Sequence, residues 1–403
     1  MRKKNFKDIL LDGITYLFSS MSVLLLIVIF VFIFQKGFST LNLDLFTSPY
    51  WSENYYAKIP ESEHNFLLDT TLDTNEYYSD KFGIALKDDF DARKEAIVVI
   101  SYIHPQSPFN QLINSTTGVN EGQIIQAKEG MILNKISYVN TNGVTRSAGP
   151  VVKQNAEDTI NTIDKSDQLD SVFIQTQGGG ILGSLIATLI LIGISLLISL
   201  PIGIMTAIYL NEYAKFNRFT PFIRSSIELL TGVPSIVYGL MGILVLFPIT
   251  ALVGANGTSI LLGGLTLSII LLPTIIRTTE ESLKVVPDSF REASHSLGAN
   301  QSQTIFKIIL PSALPGILTA TILSIGRIIG ESAALIYTMG TYISDKPEIL
   351  KGATSLAVQI WSIMNGDQPN FALASAISIV ILVMVLIMNI GVKVLTRAKV
   401  KQW

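Results

Sequence analysis

Arg327 and Glu331 stand four residues apart in the stretch Gly326-Arg327-Ile328-Ile329-Gly330-Glu331-Ser332-Ala333. On a helix that spacing puts both side chains on one face, where they can pair. Ionisable groups deep in an apolar span are costly and face a polar pathway or a partner. A guanidinium also offers an oxyanion a bidentate fork. Arg327 is therefore a candidate to line an anion path, with Glu331 positioning it or closing the empty path by pairing with it. A purely structural ion pair between helices is the competing reading. Arg277, near the end of another apolar run, is a third candidate; it either lines the path or snorkels to the interface.

Other chemistry is excluded by composition. The chain has no cysteine, which removes disulfides, thiol catalysis and zinc–thiolate sites. His64, His104 and His295 are far apart and lack metal-ligand spacing. There is no Gly-x-x-x-x-Gly-Lys-Ser/Thr loop and no nucleophile–base constellation. The expectation is a chain without cofactor, metal or catalytic residues, not an enzyme itself, which draws its energy from a partner.

The elements that must hold these residues are apolar helices. Hydrophobic residues make up 49% of the 403 and charged residues 15%, against about a quarter charged in soluble proteins. A bilayer core takes about 20 apolar residues in a helix. Six runs meet or approach this, at 14–36, 181–210, 222–249, 259–277, 312–340 and 371–395. The first is too long for a signal-peptide core and is read as a retained anchor. Pro201, Pro273, Pro311 and Pro315 read as breaks or ends of spans, and Gly232 and Pro234 as a kink and close-packing site.

Lysine and arginine set the orientation. Arg2, Lys3, Lys4 and Lys7, then Lys215, Arg218 and Arg224, then Lys284, Arg291 and Lys307, and finally Lys393, Arg397, Lys399 and Lys401 all fall on one side of a six-span arrangement. Both termini are expected to be cytoplasmic, in a multi-pass cell-membrane protein. The predicted organisation is 1–36 as N-terminus and first span, 37–180 as an extracytoplasmic insert, and 181–403 as the core. The insert is polar and acidic-leaning, with β-type runs at 96–103 and 130–139 and an Asn-Gly turn signal at 142–143. These features predict a folded, β-rich domain.

Residues 288–311 carry the most information. Pro287-Asp288-Ser289 is a helix start; Phe290, Ala293, Ser294 and Leu297 form a narrow, mostly apolar face at helical spacing. Gly298 suits a helix end at positive φ. A second helical run, Gln303 to Leu310, is predicted to end at Pro311. Glu292-Ala293-Ser294, Gly298 and Ile308-Ile309-Leu310-Pro311 together resemble the EAA signature of ABC importer permeases, with Ser294 in place of the second alanine. That resemblance implies an all-α, type I permease fold of six transmembrane helices. It also makes the segment a coupling helix that docks on a separate ATPase, and it carries that role to Glu292, Ala293 and Gly298.

A narrower resemblance, to phosphate permeases of the PstA type, rests on several further motifs. These are Gly178-Gly179-Gly180-Ile181, Tyr209-Leu210-Asn211-Glu212-Tyr213, Gly232-Val233-Pro234-Ser235-Ile236-Val237-Tyr238-Gly239, Pro273-Thr274-Ile275-Ile276-Arg277-Thr278-Thr279-Glu280-Glu281 and the Arg327 stretch. It covers 178–395 and implies PstB-type ATPase subunits, a PstC-type second permease and an extracytoplasmic phosphate-binding protein. It also favours a pathway role for Arg277. A permease for another oxyanion, molybdate or phosphonate, is the nearest alternative. A membrane-anchored sensor or adhesin is a different class, opposed by the six spans.

Overall fold

The computed structural model describes residues 6–61, 66–68, 71–90, 96–116, 121–140, 143–176, 178–214, 219–366 and 369–400, with side chains described for 11–394 of these. His64, Asn142, Arg2, Lys3, Lys4, Lys215, Arg218 and Lys401 lie outside the described residues, as do the side chains of Lys7, Arg397 and Lys399. The chain divides into two compact units, 1–43 with 181–403, and 44–180.

The first helix, α1 (Phe6–Gly37), is an apolar rod. Its far end is pinned because Gly37 lies against the backbone of Ser375 and Ala376, where a Cβ would meet backbone atoms at 2.6 Å.

The 44–180 unit opens with the short α2 (Asp44–Thr47) and then builds one antiparallel sheet. Its strands are β1 (Asn54–Lys58), β2 (Glu76–Ser79), β3 (Ile84–Phe90), β4 (Ala96–Ile103), β5 (Leu112–Asn114), β6 (Ile124–Ile125), β7 (Ile132–Val139), β8 (Thr145–Ala148) and β9 (Gln168–Gln175), with α3 (Ala156–Asp164) before the last. The order is β2-β3-β4-β7-β9-β1-β5-β6, and β8 adds to β7. Alternation, reset by register shifts at Asn134 of β7 and Asp170 of β9, explains the packing. Leu133, Ile136, Leu169, Val172 and Ile174 turn to one face, where Ile160 and Ile163 of α3 meet them. Each such fully buried aliphatic side chain contributes about 1.5–3 kcal/mol. The β7–β8 turn has Gly143 at φ 72°, with its N–H donating to the Asn140 carbonyl at 2.7 Å.

The other unit resumes with α4 (Leu182–Ile208), which runs into a π turn over Tyr209–Tyr213. Next come α5 (Phe219–Thr231), α6 (Ser235–Met241), a π turn over Gly242–Leu246, and α7 (Phe247–Leu252). They are followed by α8 (Ile260–Val285), α9 (Asp288–Ser296), α10 (Gln301–Thr304), a π turn over Ile305–Ile309, and α11 (Leu310–Gly330). The chain finishes with α12 (Ala333–Thr338), α13 (Leu356–Met364) and α14 (Phe371–Val400). Among the described residues six helical stretches are long and apolar enough to span a membrane: Leu11–Thr40, Leu182–Tyr213, Ser235–Leu252, Ile260–Val285, Gln301–Gly330 and Phe371–Val394.

Their limits differ from the expectation in three places. The run at 222–249 is broken at Gly232 and Pro234 into α5 and the stretch α6–π turn–α7, and the half-exposed, amphipathic α5 falls outside the span Ser235–Leu252. The run at 259–277 continues to Val285, since Arg277, Glu280, Glu281 and Lys284 are good helix formers that pair within it. The run at 312–340 begins at Gln301 and stops at Gly330. The prolines do not end spans. Pro201, Pro273 and Pro315 lie inside helices, and Pro311 follows a π turn whose wider pitch accommodates the missing N–H. Gly232 makes the kink but packs closely on nothing, a backbone carbonyl at 3.6 Å being all that a Cβ there would meet. Close approaches are made instead by glycines such as Gly203 to Ile275, Gly264 to Ile194, Gly239 to Ala334, Gly242 to Thr266 and Gly316 to Ser282, small-residue contacts of the kind by which membrane helices pack.

Candidate functional site

The helix α9 starts after Pro287 and is nine residues long. It ends in a Schellman turn: the Ala299 N–H donates to the Ser294 carbonyl and the Gly298 N–H to His295, with Gly298 at φ 83°. Of its expected apolar face, Ser294 turns inward while Phe290, Ala293 and Leu297 stay outside. Leu297 is 89% exposed and Phe290 49%. Glu292 and Gly298 are exposed beside them. An apolar patch on a short helix with charge at its rim suits a helix that seats in a groove.

Ser294, the departure from the EAA pattern, has a structural reason. It is buried and its hydroxyl bonds the buried Thr304 hydroxyl at 2.8 Å, tying α9 to α10. Asn300 caps α10 and shares a reciprocal capping box with Gln303.

Two charge clusters that the sequence reading did not single out join α9 and the neighbouring ends of the spans: one on α9, one on α8. Arg291 forks onto Glu212, with Nη2 to Oε1 at 2.7 Å and Nε to Oε2 at 3.3 Å. It also donates to the carbonyls of Val286 and Leu283 at 2.9 and 3.2 Å and to Asp288 at 3.1 Å. Hydrogen bonding to Glu212 raises the Arg291 pKa above its ordinary value, while burial pulls it down. Both side chains are mostly buried, at 20% and 8% exposure, and breaking such a pair costs about 3–5 kcal/mol. The second cluster centres on the buried Glu280, which pairs with Arg224 of α5 and, at 2.7 Å, with Lys284. Arg224 also donates to the Leu210 carbonyl at 3.1 Å. A carboxylate at the end of an apolar run, as Glu212 and Glu280 both are, was the available signal.

The residues nominated for the anion path are arranged otherwise than expected. Arg327 and Glu331 do not pair. The helix α11 stops at Gly330, Glu331 takes extended backbone at ψ 125°, and the shared helix face is lost. Glu331 Oε1 instead accepts from the Ala334 N–H at 3.3 Å, in the first turn of α12. Arg327 is exposed, and among the described residues it has no hydrogen bond or ion pair. Arg277 is also exposed and pairs with Glu281 at 3.4 Å. No three metal-ligating side chains gather among the described residues.

Residues 199–401 match the family described as binding-protein-dependent transport system inner membrane component. The chain belongs to this family. It is thus the membrane-spanning permease component of an ABC importer, in a family that works with a separate ATPase and a substrate-binding protein. Its fold is the six-helix type I permease fold, accompanied by the β-rich unit. Among relatives, the probable ABC transporter permease protein YqgI of Bacillus subtilis is 35% identical over 56% of this chain and 83% of its own length. The phosphate transport system permease protein PstA 1 of Mycobacterium tuberculosis H37Rv is 32% identical over 55% and 71%. The PstA homolog of Mycoplasma pneumoniae is 36% identical over 47% of this chain and 29% of its own length.

Proposed function

We propose that this chain is the permease subunit of an ATP-driven phosphate importer, with Arg327 on the anion path and α9 seated on an ATPase partner. The observation that carries the anion reading is an exposed guanidinium in a membrane-spanning helix with no partner group among the described residues. Such a charge calls for a countercharge from elsewhere, and the oxygens of a phosphate match its fork. The PstA names of the relatives support phosphate over other oxyanions. Glu331 acts by holding the start of α12, so that the break after Gly330 leaves Arg327 at the edge of the path. Arg277 pairs with Glu281 only at the exposed surface, where such a pair is weak, and so stays open to an oxyanion as a second cation for the same path.

In this reading Phe290, Glu292, Ala293 and Leu297 meet the ATPase, and Gly298 sets the bend that presents them. PstB-type ATPase subunits, a PstC-type second permease and a phosphate-binding protein complete the importer. The cytoplasmic side is the side of the Lys and Arg excess, where both termini lie, and the 44–180 unit is extracytoplasmic, serving the binding protein. ATP binding moves α9 and shifts the balance between two packed states of the helices.

The test is uptake of radiolabelled phosphate by the reconstituted complex, with molybdate and phosphonate as competitors. Phosphate is expected to be carried and the others to compete poorly. Arg327→Gln in an assembled complex is expected to lower uptake by about tenfold or more, the value of one charge-assisted hydrogen bond. Full uptake by that variant would remove Arg327 from the path.

A further inference from the structure

The two covalent joints of α9 are bends. Val286 leaves α8 in extended backbone at ψ 119°, and Gly298 turns at φ 83° with no atom near its Cβ position. A nine-residue helix with only Ser294 buried would rock between such joints unless side chains held it. Ser294 ties it to α10. Among the described residues, Arg291 is the one side chain of α9 that bonds to the end of α4, through both oxygens of Glu212. The same guanidinium holds the last carbonyls of α8. Gln301 adds a bond from its Nε2 to the Glu212 carbonyl at 2.8 Å. Glu212 sits in the π turn that ends α4, and α4 is packed tightly along α8 by Gly203 against Ile275 and Gly264 against Ile194.

We propose that Arg291 is the positioning residue through which displacement of α9 reaches α4, its fork on Glu212 making α9 and the ends of α8 and α4 one rigid block. This rests on the reading of α9 as the ATPase-docking helix. Without the fork, α9 moves about its bends and the stroke is dissipated before it reaches the spans. A lysine at 291 keeps the charge but cannot grip both oxygens and two carbonyls in one plane.

The experiment uses the complete importer in proteoliposomes, its other subunits free of cysteine, with ATP hydrolysis and uptake of radiolabelled phosphate measured together. Arg291→Lys and Glu212→Gln are each expected to lower the phosphate moved per ATP by about fivefold or more, the low end of ordinary coupling factors. Because the chain has no native cysteine, Glu212→Cys combined with Arg291→Cys allows a short bis-methanethiosulfonate reagent to join those two positions alone, each thiol displacing one methanesulfinate to form a disulfide that a reductant cleaves. The linker is expected to restore the ratio, and its cleavage to abolish it again. A staple that serves folding alone would lower the amount of complex and leave the ratio unmoved. If the lysine variant does not assemble, the linker variant decides. Wild-type ratios in both single variants, or no recovery on linking, overturn the proposal. A different failure marks the underlying reading: a photocrosslinker placed at Leu297 that never captures the ATPase in the working wild-type complex removes both.

Discussion

Replacing Ser294 by alanine writes the family's own residue into the EAA motif, yet it is expected to loosen this protein. Ser294 is 4% exposed and Thr304 2%, and their hydroxyls are 2.8 Å apart. Alanine removes one hydroxyl and leaves that of Thr304 buried without its partner. Leaving one buried polar group unsatisfied costs about 1–3 kcal/mol, whereas removing both partners is close to neutral. The cost falls on the contact between α9 and α10, so it is read locally, as amide exchange in segment 288–304 of the importer in lipid nanodiscs. A loss of about 1–2 kcal/mol in local opening corresponds to about 5- to 30-fold faster exchange. The double variant Ser294→Ala with Thr304→Val is expected to return close to the wild-type rate, because valine keeps the shape and drops the hydroxyl. Unchanged exchange in the single variant would refute the reasoning, and would mean that Thr304 turns to another acceptor such as the Asn300 carbonyl. Fast exchange in the double variant would refute it differently, by showing that volume matters and the hydrogen bond does not.

Three further outcomes follow from the geometry. Gly298→Ala meets no neighbouring atom, so its cost is the backbone conformation alone, about 1–2 kcal/mol; Gly298→Asn is expected to be milder, and the amount of ATPase co-purified with the chain reports both. Gly239→Leu drives a side chain into Ala334 backbone atoms at 2.8–2.9 Å and is expected to separate α6 from α12 and abolish phosphate uptake, while Gly257→Ala, with open space around it, leaves uptake unchanged. Asp164 has its pKa raised, chiefly by burial, against the hydrogen bond it accepts from Ser79. The stability this proton contributes is complete below the ordinary carboxylate value of 3.8 and is lost as pH rises through the raised one. Amide exchange in β2 and α3 of the wild type should therefore quicken across that window more than in Asp164→Asn.

Local signals were legible where the residues themselves decide the structure. The run Ala96–Ile103 is β4 residue for residue, because eight positions rich in β-branched side chains suit a half-buried strand. The Gly130 region yields β7, and the helix of 288–296 with its glycine stop is present as expected. The sheet order was not legible. It depends on β9 lying between β7 and β1, and the β1–β9 pairing joins residues more than a hundred positions apart, which no local pattern encodes. Span ends failed for a related reason. Hydropathy does not separate the amphipathic α5 from the span Ser235–Leu252 when α5 also carries many apolar residues and only Gly232-Val233-Pro234 divides them.

The misplaced pair of Arg327 and Glu331 shows how one such error propagates to the site. Four-residue spacing implies contact only while the backbone stays helical. Ending α11 at Gly330 swings Glu331 toward the Ala334 N–H and leaves Arg327 without a countercharge among the described residues. That break strengthens the case for an anion path, since an arginine already neutralised by Glu331 would have less need of an incoming oxyanion. The converse holds at α9. There Arg291 and Glu212 lie 79 positions apart yet meet at 2.7 Å, with Glu212 in the π turn that ends α4. At these two places interruptions of helix decide which charges meet, whereas within the unbroken α8 the regular four-residue spacing pairs Arg277 with Glu281 and Lys284 with Glu280.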